Sequence, residues 1–155
     1  MHASMNDAAA RLAARYATEG VDVVAGGAGD NTEVDCAYVD RRGFTSLKAV
    51  IAYTATLQAG ETLKIAANLQ SDADGAGVGT DFGDALASTT VATGPGGGGT
   101  RTGVIELDFD LSGADRYARL QFTPNLSASA ADVAELSAVY ILAGATDDPV
   151  TASVV

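Results

Sequence analysis

Tryptophan is absent from this chain, and histidine and cysteine occur once each, as His2 and Cys36. A lone thiol excludes an internal disulfide and a cysteine-based metal site. A Ser-His-Asp triad would have to recruit His2, which has no credible nucleophile beside it. No convergent constellation of nucleophile, base and stabilising donors can be assembled, so an enzyme is not expected. Basic residues are also scarce. Nine Lys and Arg face twenty Asp and Glu, for a net charge of −11. That balance argues against a nucleic-acid backbone or an anionic membrane as partner, because both need a positive surface. It favours solubility. No apolar run approaches the roughly 20 residues of a membrane-spanning helix. The N-terminus has no basic stretch followed by an apolar one, so export by a signal peptide is not expected. The default is a protein made in a reducing compartment and used there, or assembled there into something larger.

What the chain does have is strand periodicity. Its 155 residues point to one domain. Apolar residues make up 47%, dominated by alanine, and aromatics only 6%. The core is therefore expected to be thin and sheet-like. Ile105-Glu106-Leu107-Asp108-Phe109-Asp110-Leu111 alternates apolar and acidic residues without a fault. Strands are expected at 21–25, 33–39, 47–57, 63–70, 84–93, 103–111, 117–123 and 133–142, with Pro124 ending the seventh. The segment 133–142 is apolar on both faces, as in a central strand or one covered by a partner. Segments 47–57 and 63–70 read as a hairpin about Ala59-Gly60-Glu61. Near the N-terminus, Ala8, Leu12, Arg15 and Tyr16 sit near helical spacing behind Asn6 or Asp7 as a cap. The expectation is all-β: a single-domain β-sandwich of jelly-roll type with about eight strands. Residues 1–20 form an N-terminal arm or short helix, 21–143 the sandwich and 144–155 a C-terminal tail.

Two motifs invite chemistry. Gly94–Gly99 formally matches the dinucleotide fingerprint, but a strand follows where a helix should open, and no lysine follows the last glycine. A flexible hairpin loop is the simpler reading. Asp72-Ala73-Asp74-Gly75 resembles the start of a calcium loop, with Asp81 and Asp84 near enough to add oxygens, yet Gly comes fourth and no Glu closes the loop. No metal or cofactor is expected. A carboxylate pair for sugar hydrolysis stays open from sequence alone. Cys36 alternates with Val34 and Tyr38 and reads as a small core residue.

Three stretches carry a resemblance. They are Gly29-Asp30-Asn31-Thr32-Glu33-Val34 with Tyr38-Val39-Asp40-Arg41 and Phe44; Leu57–Gln70 running into Ser71-Asp72-Ala73-Asp74-Gly75; and Asp108-Phe109-Asp110-Leu111-Ser112 through Arg116-Tyr117-Ala118-Arg119 to Thr123-Pro124-Asn125-Leu126-Ser127. Together they resemble small structural proteins encoded in the head-gene region of tailed phages and prophages. The resemblance implies a capsid decoration, or cement, protein, made in the bacterial cytoplasm and placed on the outer surface of the virion. Its partners would be the major capsid protein and copies of itself, as a homotrimer. The contact residues expected are Leu12 and Tyr16 on the arm, with Arg41, Arg42, Arg101, Arg116 and Arg119 at turns or outward strand positions. Two alternatives stand beside it: a carbohydrate-binding jelly roll displayed on a virion, and a tail or head-tail connector protein.

Overall fold

The computed structural model describes residues 11–127 and 131–146. Nine strands account for most of them: β1 (Ala13–Val24), β2 (Val34–Asp35), β3 (Val39–Asp40), β4 (Ser46–Leu57), β5 (Thr62–Asp72), β6 (Thr80–Thr93), β7 (Gly99–Asp110), β8 (Tyr117–Leu126) and β9 (Val133–Ala143). They form two antiparallel sheets. One has the order β1-β9-β4-β7; the other has β2-β8-β5-β6, with β3 also on β8. Strands β2 and β3 share one lane beside β8, so the sandwich has eight strand positions, as expected. Apart from the β5–β6 hairpin, the chain changes sheets at each step from one lane to the next, which is jelly-roll order.

Strict alternation builds the core. Leu47, Ile51, Leu136, Tyr140 and Leu142 from the first sheet meet Leu63, Ile65, Leu69, Leu120 and Phe122 from the second, all essentially inaccessible to solvent. Each such side chain contributes about 1.5–3 kcal/mol of burial. Cys36 joins this core, as expected of a small apolar residue, while Tyr38 does not share its face.

Four expectations need correction. The 20/21 boundary falls inside β1, so residues 13–20 belong to the sandwich. Here Ala13, Ala17 and Val23 are buried and Val21 is half-buried. Register shifts between Tyr16 and Thr18 and between Thr18 and Val21 interrupt the strand alternation, and Leu12 and Tyr16 of the expected helical stripe are exposed. The proposed helix cap, Asn6 or Asp7, and most of the 144–155 tail lie outside the described residues.

Segments 47–57 and 63–70 do not pair as a hairpin. β4 and β5 face each other across the core, and the 58–61 turn carries the chain between sheets. Likewise the 94–98 loop joins β6 to β7 across the sandwich rather than closing a hairpin. Pro124 does not end β8 either: it is buried and opposite Ile65. Its carbonyl accepts from Asn31 N–H at 2.8 Å, on the β2 side of the strand, just before β2 begins. The missing N–H faces that same side, so no ladder bond to β5 is lost.

Candidate interaction surface

The expected contact residues do not converge. At the end of the sandwich formed by loops 41–45, 73–79 and 111–116, Arg41 donates from Nε to the Asp115 carbonyl at 2.7 Å and also bonds the Ala114 carbonyl. Arg116 grips Asp40 Oδ2 twice, at 3.0 and 2.6 Å, and lies over the Tyr117 ring. That pairing holds the Asp40 carboxyl below its usual range and pushes the Arg116 guanidinium up. Both arginines tie turns together. Arg42 sends its backbone N–H to Asp40 Oδ1, and the residue is exposed. Arg101, at the opposite end, donates to the Thr93 carbonyl at 3.3 Å. Leu12 and Tyr16 are exposed, Tyr16 on the edge strand β1.

Of the carboxylates around the calcium-like stretch, Asp72 and Asp74 stay together and Asp81 and Asp84 do not join them. Asp72 accepts from the N–H groups of Ala73, Ala76 and Gly77, and the Gly77 bond above all lowers its pKa. Asp74 accepts from Ala76 N–H. Asp81 turns instead onto the outer face of the second sheet, and Asp84 is exposed. Among the described residues no three His, Cys, Asp or Glu side chains come together as a metal would require.

Arg119 belongs to a network on that outer face. It bonds Gln70 Oε1 at 3.0 Å, pairs with Asp35 at 3.2 Å and stacks over Tyr38. Gln121 donates to Glu33 and Asp35, while Asn68 donates to Asp81 and to Gln121 Oε1. A shallow groove of about 420 Å³ runs here, lined by Glu33, Asn68, Gln70, Asp81, Leu86 and Gln121 among others. The Nε2 of Gln121 and the Nδ2 of Asn68 each already make two bonds and the Nε2 of Gln70 makes one, to Asp81 at 3.2 Å, so the groove offers chiefly oxygen acceptors.

The outer face of the first sheet has a different character. Rows of residues cross its four strands in register. Tyr16, Val139, Val50 and Glu106 form one row. The next holds Ser137, Ala52 and Val104, and further along come Asp22, Glu135, Thr54 and Thr102, then Val24, Val133, Thr56 and Thr100. Tyr16, Val24, Val104, Val133 and Val139 are 58%, 38%, 61%, 42% and 45% exposed. All five large apolar side chains lie on one side of one sheet. This resolves the two-sided strand 133–142: Ala134, Leu136, Ala138, Tyr140 and Leu142 fill the core, while Val133 and Val139 face out. Exposed apolar patches of this kind mark interaction sites. The apolar character of β9 was the one signal of it in the sequence; the partners Tyr16, Val50 and Val104 arrive from distant segments.

The buried reactive groups lack the setting for catalysis. Burial pushes the Cys36 thiol up to about 12 and raises the Tyr140 phenol as well. A thiol so shifted is a poor nucleophile. His2 lies outside the described residues.

No protein-family model matches the chain, and no curated protein matches it by sequence. Solved structures do. Part of a chain in the T13 particle of infectious bursal disease virus superposes on 86% of this chain with a TM-score of 0.51 and 14% identity, using 31% of the viral chain. A chain from the Gx strain of the same virus gives 0.46 at 14% identity, covering 90% of this chain and 33% of its own. The Eiger TNF of S. frugiperda gives 0.42 at 10% identity, covering 92% and 99%. This chain therefore spans about a third of the length of the viral chains it matches. At these identities the likeness is one of fold, and only the first superposition is close enough to support it.

Proposed function

We propose that this protein is a structural component of a virion, binding the outer surface of a tailed-phage capsid as a decoration protein and bracing neighbouring major capsid subunits. The observation that carries the proposal is the apolar row on the outer face of the first sheet, borne by a sandwich whose core is already complete without it. A closed body with an uncovered sheet face acts by contact. The jelly-roll fold, shared with part of an icosahedral viral capsid chain, supports the reading. So does the resemblance of residues 29–127 to phage head proteins. On this reading the protein is not an enzyme. It is made in the host cytoplasm and joins the shell as a homotrimer. Many copies, each with a modest interface, would together give a large gain in particle stability, since binding to the assembled shell favours that state by mass action.

Phage heads stripped of the protein test this. Added protein should bind saturably and raise the temperature at which the heads burst, with a stoichiometry that reports the symmetry site. Absence of binding would sink the proposal. A ring of six or more copies in solution would favour a head-tail connector instead. A second reading, a carbohydrate-binding module, is favoured by the oxygen-lined groove on the second sheet. It lacks an open aromatic platform there, because Arg119 covers Tyr38. A glycan array decides it.

A further inference from the structure

The apolar face of the first sheet carries an unbalanced charge that selects its partner. Asp22 on β1 and Glu135 on β9 stand directly opposite each other in the ladder. Like charges in that relation repel, with Cβ atoms about 5 Å apart. The described residues give neither carboxylate a side-chain hydrogen bond or an ion pair. Lys48, the cation of β4 on this face, lies six residues along the strand from Thr54, the β4 partner of Glu135, and is already engaged by Glu106 at 2.9 Å and Asp108 at 2.7 Å. Between the two free carboxylates and the exposed Val24–Val133 pair lies a recess of about 410 Å³, whose walls also include Thr54 and Thr56. A second, shallower recess of about 190 Å³ shares Thr54 and Glu135 and continues toward Ser137 and Ala52.

We propose that this recess receives a lysine or arginine side chain of a partner protein. The aliphatic stem lies against Val24 and Val133, and the cationic head sits between Asp22 and Glu135. Long basic side chains have this double character, apolar along the stem and charged at the tip. The cation relieves the repulsion that the ladder imposes, and the row Tyr16–Val139–Val50 provides the dry contact beside it. A second copy of this chain is the wrong occupant. Face to face it would set Asp22 and Glu135 against their own kind, with Lys48 already paired on both sides. The face therefore meets a different protein, and contacts between copies in a trimer use another surface. This rests on the capsid-binding reading for the identity of the partner, but not for the chemistry of the recess.

Two measurements separate these layers. In the first, the ¹⁵N-labelled full chain is titrated with the capped tripeptide Ac-Arg-Arg-Arg-NH₂. Shifts should centre on the amides of Asp22, Val24, Thr54, Val133 and Glu135, weaken with salt and vanish in the Asp22→Asn/Glu135→Gln double variant. Shifts centred on the Glu33–Asp81 groove or on loop 73–79 would overturn the assignment. In the second, stripped heads are titrated with both proteins. The double variant should bind at least tenfold more weakly than the unaltered chain, with a flatter salt dependence and an unchanged oligomeric state. Equal binding by the two would overturn the inference while leaving the decoration role standing. Failure of both to bind heads, with the peptide result intact, would overturn the decoration role and leave the recess. Self-association of the unaltered chain that the double substitution abolished would overturn the inference too, since it would make a second copy the occupant.

Discussion

The hydroxyl of Tyr140 stands where a rung of the second sheet is missing, accepting the Leu120 backbone N–H at 2.8 Å. It donates in turn to the Ala37 carbonyl at 3.0 Å. The gap exists because the lane beside β8 is broken: β2 ends at Asp35 and β3 starts at Val39. Leu120 keeps its carbonyl bonded to Cys36 N–H, but its own N–H has no strand partner left. Tyr140 belongs to β9 in the opposite sheet, so its phenol crosses the core and completes the ladder it faces. One side chain fastens both layers and satisfies two backbone groups, of which the Leu120 N–H is buried.

Tyr140→Phe leaves Leu120 N–H without its partner in a dry core and takes the Ala37 carbonyl's donor away. A buried unsatisfied group costs about 1–3 kcal/mol. For a chain of this size about 2 kcal/mol lowers the melting temperature by roughly 4–8 °C. Thermal unfolding checks it, and an unchanged midpoint would show that the backbone closes the gap itself.

Acid should weaken the fold through Asp40, Asp72 and Asp110. Hydrogen bonds from Arg116, from Gly77 N–H and from Ser112 respectively lower these pKa values from 3.8. A carboxyl depressed in the folded state adds stability that is complete above its unfolded value and disappears as pH falls through the folded one. Stability should therefore be level above about pH 5 on this account and decline below about pH 4. Asp40→Asn should shallow that acid limb without abolishing it. Melting curves from pH 2 to 7 would contradict this if the substitution left the slope unaltered.

Cys36 should be silent to alkylation in the native protein. Raising its pKa from 9.0 to about 12 cuts the thiolate fraction at pH 8 by on the order of a thousandfold, and burial blocks access as well. Iodoacetamide labelling followed by mass spectrometry should show modification only as fast as the fold opens. Native labelling at the unfolded rate would place the thiol elsewhere.

The glycine run 94–99 should prove structural at its first residue and permissive at its fourth. A Cβ on Gly94 would lie 1.9 Å from the Gln58 carbonyl oxygen, whereas one on Gly97 meets nothing within 4 Å. Gly94→Ala forces the backbone apart and should cost about 1–3 kcal/mol, as overpacking does. Gly97→Ala should be close to neutral. Equal melting temperatures for the two variants would remove the distinction.

Strand identity was readable because it is local. Alternation in 47–57 and 105–111 names the inward face without knowing what that face meets, since period two follows from the pleat alone. It failed where the ladder itself is irregular. The expected helical stripe ran through Leu12, Arg15 and Tyr16, and nothing within residues 11–20 reveals the register shifts on either side of Thr18 that interrupt the strand alternation there. Of the expected contact residues, arginines were legible as charges, but their use inside the molecule, Arg41 on Asp115 and Arg119 on Asp35, depends on segments more than 70 residues away.

The sequence by itself determined that this is an acidic, all-β sandwich with a thin aliphatic core. Composition and period-two patterning are properties of neighbouring residues, and they survive whatever the strands pair with. Tertiary structure alone decided the pairing. The turn at 58–61 is as short as a hairpin's yet crosses between sheets, because turn chemistry fixes a reversal of direction and not the sheet in which the next strand lies. It also decided the surface. Asp22 meets Glu135, and Tyr16 meets Val139 and Val50, only through register set across three strands, so the exposed apolar face of the first sheet is written in no single stretch of the chain.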